Sequence, residues 1–175
     1  MYRRTISPDI SIALQTHSHA KELFKLSAKN RKILSKIFPH VVESEEEMAQ
    51  KIKERLLGFA KEESHYQSIF YRDKLVGSIN FYTIDRVNKR TNIGYWLDSD
   101  HEGKGIMTTV VKDFIQMGIN YYDMNKFEIR CSVDNYKSCA IAKRLGFEEE
   151  GIIRSYGFIN GKKIDLRLYG LVINS

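Results

Sequence analysis

Ile93-Gly94-Tyr95-Trp96-Leu97-Asp98-Ser99-Asp100-His101-Glu102-Gly103-Lys104-Gly105-Ile106-Met107 decides how this chain is read. An apolar strand ends at Leu97, a short polar loop follows, and an amphipathic helix begins at once. Met107, Val110, Val111, Phe114, Gly118 and Tyr121 recur on one face of that helix. Gly103 and Gly105 fall in the turn, where a missing Cβ lets backbone N–H groups close on a ligand. The first helical turn adds free N–H groups and the positive end of a dipole. Together these form a cradle for a pyrophosphate. The loop is not a Walker sequence, because no Gly-Lys-Ser/Thr follows at the required spacing. It is not a dinucleotide fingerprint either, because the third glycine and the later acidic residue are missing.

Outward from this loop the pattern is that of a mixed sheet with helices. Upstream, residues 66–71 and 75–84 read as strands joined by the polar turn Arg72-Asp73-Lys74. Residues 85–90 lead to a third strand over 91–97, so the three form an antiparallel meander. Before them, Ser44-x-x-Glu47 is a capping box, and Met48, Ile52, Leu56 and Phe59 follow at helical spacing. Residues 10–14 alternate as a short strand. Thr16 or Ser18 caps a helix running to about Asn30 with Leu23, Phe24 and Leu26 on its apolar side. Residues 33–38 form a second apolar cluster, broken by Pro39.

Downstream, Phe127, Ile129, Cys131 and Val133 alternate as a strand. Asn135 caps another helix, Gly146 ends it, and Phe147 begins a new strand. A last strand over 163–173 carries Leu166, Leu168 and Gly170. The class is α+β: a mixed, mostly antiparallel twisted sheet of about seven strands flanked by about four helices.

Length and composition set the bounds. The 175 residues fit one domain, 1–175, with a single sizeable core. No stretch reads as a signal peptide or a bilayer span. Cys131 and Cys139 are too few and too scattered for a disulfide framework or a zinc site, and are expected as reduced core residues. The net charge is +6, much of it in Lys21, Lys25, Lys29, Arg31, Lys32 and Lys36. That cluster reads first as a solvated helix face; an acidic partner, nucleic acid or an anionic cofactor is the sharper alternative. His17, His19, His40, His65 and His101 have no metal-ligand spacing, so no metal is expected. His101, in the loop, is a minor candidate for a base. Tyr66, Phe70, Tyr71, Phe81 and Tyr82 read as sheet residues rather than an RNA-stacking platform, and Tyr95 and Trp96 as strand packing.

Five motifs in order carry a family resemblance. They are Ile93-Gly94-Tyr95-Trp96-Leu97, Gly103-Lys104-Gly105-Ile106-Met107-Thr108, Asn135-x-x-Ser138, Leu145-Gly146-Phe147-x-x-x-Gly151 with Arg154, and a late Gly161, Asp165 and Leu168-Tyr169. The chain resembles, over nearly its whole length, an acetyl-CoA-dependent N-acetyltransferase of the GNAT superfamily, in the RimJ/RimL-like branch. The resemblance implies a GNAT-like sheet in which the strand with Tyr95, Trp96 and Leu97 splays from the next one. The unpaired backbone there welcomes the pantetheine amides of CoA. It places the cofactor along Trp96, Leu97, Glu102, Gly103, Lys104, Gly105, Ile106, Met107 and Asn135. It makes Ser138 the acid that protonates the departing CoA thiolate. The plain readings are a helix serine bonded to its own backbone for Ser138 and a helix cap for Asn135.

Departures from the family pattern are informative. Glu102 replaces the usual Gln or Arg and brings a charge that Lys104 is expected to offset. Met107 replaces Gly or Ala. Ala142 stands where a tyrosine acid often stands. The acidic base of some members would fall near Gly157, so the base is unassigned. The resemblance thus implies a cytoplasmic enzyme passing acetyl directly to a primary amine, first of all a protein N-terminal α-amine such as that of a ribosomal protein. Polyamines, amino sugars, amino acids and a CoA-binding regulator without catalysis are the alternatives. No membrane or specific nucleic-acid partner is implied, and a homo-oligomer is left open.

Overall fold

The computed structural model describes residues 2–173. In chain order the elements are β1 (Arg4–Ser7), β2 (Ile10–Leu14), α1 (Ala20–Lys29), α2 (Arg31–Leu34), α3 (Glu45–Ala60), β3 (His65–Tyr71), β4 (Lys74–Asp85), β5 (Arg90–Leu97), α4 (Ile106–Tyr122), β6 (Lys126–Ser132), α5 (Tyr136–Arg144), β7 (Glu148–Ile159) and β8 (Lys162–Val172). The strands form one sheet in the order β1-β2-β3-β4-β5-β6-β8-β7. Every neighbouring pair is antiparallel except β5 and β6. The sheet therefore has eight strands, one more than expected. The extra strand, Arg4–Ser7, has only Ile6 as an aliphatic residue, too little for an alternation to register. Pairing with β2 creates it, and Arg4 anchors it by donating to Asp113 of α4 at 2.7 Å.

Local chemistry explains most boundaries. The β3–β4 hairpin turns on Arg72 and Asp73, both at positive φ (47° and 64°), and its strands meet at Tyr71 and Lys74. Two left-handed residues match the twist of the flanking strands. Ser44 caps α3 by accepting from the Glu47 amide at 3.1 Å. The reciprocal half of the capping box is absent: the Glu47 carboxylate accepts instead from the Glu43 amide at 2.8 Å and faces His40.

Two apolar layers sandwich the sheet. On one face, α4 and α5 pack Val110, Val111, Phe114, Cys139 and Ala142 onto Ile79, Phe81, Ile93, Phe127 and Ile129. On the other, α1 and α3 bring Leu23, Met48 and Ile52 against Leu75 and Trp96. Gly118 lets α4 lie close, since a Cβ there would sit 2.5 Å from the Phe127 ring. Tyr121, expected on the buried face of α4, is 76% exposed, and Tyr122 is buried in its place. Four residues on from Gly118 return to the inner face, and the Tyr122 hydroxyl there meets His65 Nδ1 at 2.7 Å. Burial lowers His65 to a pKa of about 4, so its ring is neutral at physiological pH. Among the described residues, no helix is long and apolar enough to cross a membrane.

The junction of β5 and β6 positions the site. These parallel strands pair only at Arg90–Lys126, Thr91–Phe127 and Asn92–Glu128. Past that point β5 stays on β4 as far as Leu97, and β6 stays on β8 as far as Ser132. The sheet opens into a V whose apex is Asn92–Glu128 and whose mouth lies beyond Leu97.

Candidate functional site

At the mouth, β5 runs into the glycine loop. Asp98 fixes the start of that loop. Its carboxylate is buried and accepts from Asn30 Nδ2 at 2.8 Å, with the Lys29 ammonium and His101 Nδ1 each at 2.9 Å. Burial works against ionisation of Asp98, but these three donors outweigh it and hold the carboxyl below its usual range. Lys29 also bonds Asp100 at 2.6 Å, so part of the basic cluster serves the loop. His101 is committed to Asp98 and belongs to the mouth of the V.

Gly103 and Gly105 have φ of 74° and 73°, and no atom stands within 4 Å of where their Cβ atoms would be. Their backbone conformation, rather than crowding, demands glycine. Gly105 is the N-cap of α4, and no side chain caps that end. The first amides of a seventeen-residue helix are thus left for a ligand beside the exposed residues 103–105. Ile106 and Met107 are buried in the core, so they can serve a ligand only through their backbone. Trp96 and Leu97 are half-buried, with side chains packed on opposite faces of the sheet and their backbone along the slot. Lys104 does not offset Glu102 as expected. It donates to the Asp100 carbonyl at 3.2 Å, and Lys137 of α5 pairs with Glu102 across the mouth.

The arms of the V supply the interior. From Ile93 to Leu97, the β5 backbone edge facing β6 has no strand partner among the described residues. Such groups need a hydrogen-bonding ligand. At the start of α5, Asn135 Oδ1 accepts from the Ser138 amide at 3.3 Å, so it is a helix cap. Ser138 is half-buried, and its Oγ lies 2.9 Å from the Tyr95 hydroxyl, which also donates to the Ser138 carbonyl at 3.3 Å. Burial raises the Tyr95 phenol well above its usual value, so it stays protonated. Tyr95, read from sequence as strand packing, is therefore the hydrogen-bond partner of Ser138. Cys131 and Cys139 are free thiols, as expected, but they are not scattered in space: their Sγ atoms are 3.1 Å apart next to Ser138. Burial pushes the Cys131 thiol up to about 12, which keeps it from acting as a nucleophile.

On the α1–α3 face, a cleft of about 290 Å³ lies at the apex of the V. Tyr82, Asp85, Asn92, Glu128, Arg130 and Tyr156 line it. Glu128 is 6% exposed. Its Oε2 accepts from Asn92 Nδ2 at 2.9 Å and from Arg130 at 3.0 Å, while Lys126 Nζ stands 3.9 Å from Oε1. A buried carboxylate thus lines the cleft at the end of the slot opposite the glycine loop. Sequence reading missed it because Glu128 alternates with Phe127 and Ile129 and so reads as solvent-facing. The available signal was an acidic residue one position from the core face of a strand expected to border the cofactor.

An uncapped helix N-terminus behind two glycines at one end of a split sheet, a hydroxyl on one wall and a buried carboxylate at the closed end would suit transfer of an acyl group from a long pyrophosphate-bearing carrier. The chain belongs to the GNAT acetyltransferase family: the Acetyltransferase (GNAT) domain matches residues 12–148. It is 31% identical over 172 residues to the ribosomal-protein-serine acetyltransferase of Escherichia coli K12, covering 97% of this chain and 96% of that protein. The RimL ribosomal L7/L12 alpha-N-protein acetyltransferase, solved in complex with coenzyme A, superposes with a TM-score of 0.94 at 28% identity, covering 98% of both chains. The microcin C7 self-immunity acetyltransferase MccE, solved with acetyl-CoA and AMP, gives a TM-score of 0.92 at 30% identity over 96% of this chain and 94% of that one.

Gly105→Val tests the cradle. A β-branched residue is strained at φ 73°, and relieving the strain swings the loop amides away. CoA affinity should fall by about tenfold or more while the circular dichroism spectrum is kept. Unchanged affinity by calorimetry would mean that this glycine serves only the turn.

Proposed function

We propose that this protein transfers acetyl from acetyl-CoA to the α-amine at a protein N-terminus, in the cytoplasm, with a ribosomal protein as the first candidate. The observation that carries the reading is the polarity of the V, with its anion cradle at the mouth and its buried carboxylate at the apex. A carrier anchored by its pyrophosphate at residues 102–107 puts its reactive end toward Asn92 and Glu128. The named activities of the relatives support the choice of acceptor.

Acetyl-CoA brings an activated acyl group on a thioester whose sulfur needs a proton as it leaves. The β5 edge from Ile93 to Leu97 holds the amide-bearing arm, and Asn135 lies at its border. Ser138 Oγ, oriented by the Tyr95 hydroxyl 2.9 Å away, gives the proton to the sulfur and regains one from solvent at the open mouth of the slot. On the opposite face, Glu128 Oε1 takes the proton that the amine must lose. The attack is direct, and no acyl-enzyme forms.

Two otherwise identical peptides test the acceptor, one with a free N-terminus and a blocked lysine, the other reversed. An α-amine has a reference pKa near 8 and a lysine amine near 10.4, so far more of the α-amine is free base at neutral pH. Thiol release should be at least about tenfold faster with the free N-terminus. Equal or faster acetylation of the lysine peptide overturns the reading.

A further inference from the structure

The last strand pair breaks step beside the cleft at the apex. Between the pairs Ile153–Leu166 and Gly157–Ile164, residues 154–156 of β7 face only Asp165 of β8. Ser155, in the middle of that bulge, has φ 51°, a left-handed conformation that a serine rarely adopts. Its amide donates to the Asp165 carboxylate at 2.7 Å. The Asp165 carbonyl accepts in turn from the Val133 amide at 3.2 Å, so the bulge is tied to the end of β6, just before Asn135 and Ser138. Further along the hairpin, Asn160 Nδ2 donates to the Ser35 carbonyl, just past α2, at 3.1 Å. Bulges recur next to active sites, where they re-aim a side chain. The side chain carried here is Tyr156, which lines the cleft and contacts Arg130. It is 51% exposed, so a ligand can reach it, and Tyr82, 37% exposed, lines the same cleft from β4. Asp165 itself has no part in the chemistry at Ser138 or Glu128.

We propose that Tyr156 binds the acceptor, forming with Tyr82 the walls between which the first residues of a peptide lie, and that Asp165 is the positioning residue that holds Tyr156 there through the Ser155 amide. This rests on the reading of the cleft as the acceptor site. Tyr82 and Tyr156 stand on opposite arms of the V, so a chain entering between them delivers its amine toward Glu128. Tyrosine suits such a ligand, because the ring packs on apolar atoms while the hydroxyl bonds to peptide groups. A polyamine offers no peptide groups, and it brings a second cation toward Arg130 and Arg90. Without Asp165, the left-handed Ser155 loses the acceptor that fixes its amide, and the bulge relaxes away from the cleft. The contact is made as well by bound substrate as by the transition state, so its loss falls on KM rather than on kcat.

The test is a double-mutant cycle read by steady-state kinetics with acetyl-CoA and the peptide that has a free N-terminus and a blocked lysine. Tyr156→Ala should raise the peptide KM about tenfold, with kcat changed by less than about twofold and the KM for acetyl-CoA as in wild type. Asp165→Ala should raise the peptide KM about threefold or more. Asp165→Asn, whose side-chain oxygen can still accept from the Ser155 amide, should recover most of that loss. In the Tyr156→Ala background, Asp165→Ala should add no further rise. A purely structural aspartate would lower the melting temperature and leave the peptide KM where it was. An unchanged peptide KM in Tyr156→Ala overturns the proposal. That variant changes a half-exposed side chain, so it decides the matter even if Asp165→Ala does not fold. Full additivity of the two substitutions overturns the role of Asp165. If wild type acetylates spermidine and not the peptide, the functional reading itself fails, and the proposal with it.

Discussion

Ser138→Ala should lower kcat by about 10² to 10⁴ while leaving the affinity for acetyl-CoA nearly unchanged. The loss is large because a thiolate leaves poorly unless a proton reaches it, and Ser138 Oγ is the hydroxyl at the wall of the slot. Affinity survives because the cradle and the β5 edge do not include that oxygen. The fold survives because the Tyr95 hydroxyl keeps the backbone carbonyl of residue 138, 3.3 Å away, as an acceptor. Stopped-flow turnover with thiol readout and a separate calorimetric titration divide the two effects. Full turnover in the variant would transfer the acid role to Tyr95 or to water. Tyr95→Phe then decides between those two, since it removes the phenol and leaves Ser138 in place.

Glu128→Gln should reduce kcat/KM for a peptide α-amine by about 10² to 10³ near pH 7. The amide is isosteric and can still accept from Asn92 and Arg130, so packing is retained. What it cannot do is take a proton from an ammonium. That difference fixes the pH dependence: as pH rises toward and past the α-amine pKa near 8, the substrate supplies its own free base. The gap between variant and wild type should therefore shrink at alkaline pH. A loss that stays constant from pH 6 to 9.5 would make Glu128 a packing residue and leave the base elsewhere.

The glycine loop and its helix could be read from the sequence because their signal is local. Two glycines, a preceding apolar strand and an amphipathic run define the loop and the start of its helix before any tertiary contact is known. The meander was legible for the same reason, as was the helix cap at Asn135. What stayed hidden depends on which elements lie beside each other. β1 exists only because β2 offers an edge. Lys137 reaches Glu102 from 35 residues away, so the nearer Lys104 looked like the natural partner. Glu128 and Arg130 alternate with core residues and look solvent-facing, because nothing local says that their side of the sheet borders a cleft. For that reason the sequence showed no carboxylate as a candidate base. Tyr95 faced the opposite difficulty: it sits in an apolar strand, and its hydroxyl has meaning only once α5 is placed.

The parallel joint between β5 and β6 is three residue pairs long. The strand ladder is thus in two parts, one built by residues 4–97 and the other by residues 126–172, joined by those three pairs and by the apolar layer that Phe81 and Phe127 share beneath α4. A ligand whose amides bond to the open β5 edge acts as a short missing strand, extending the ladder where the protein's own pairing stops. The cosubstrate is then a piece of architecture as well as a reactant.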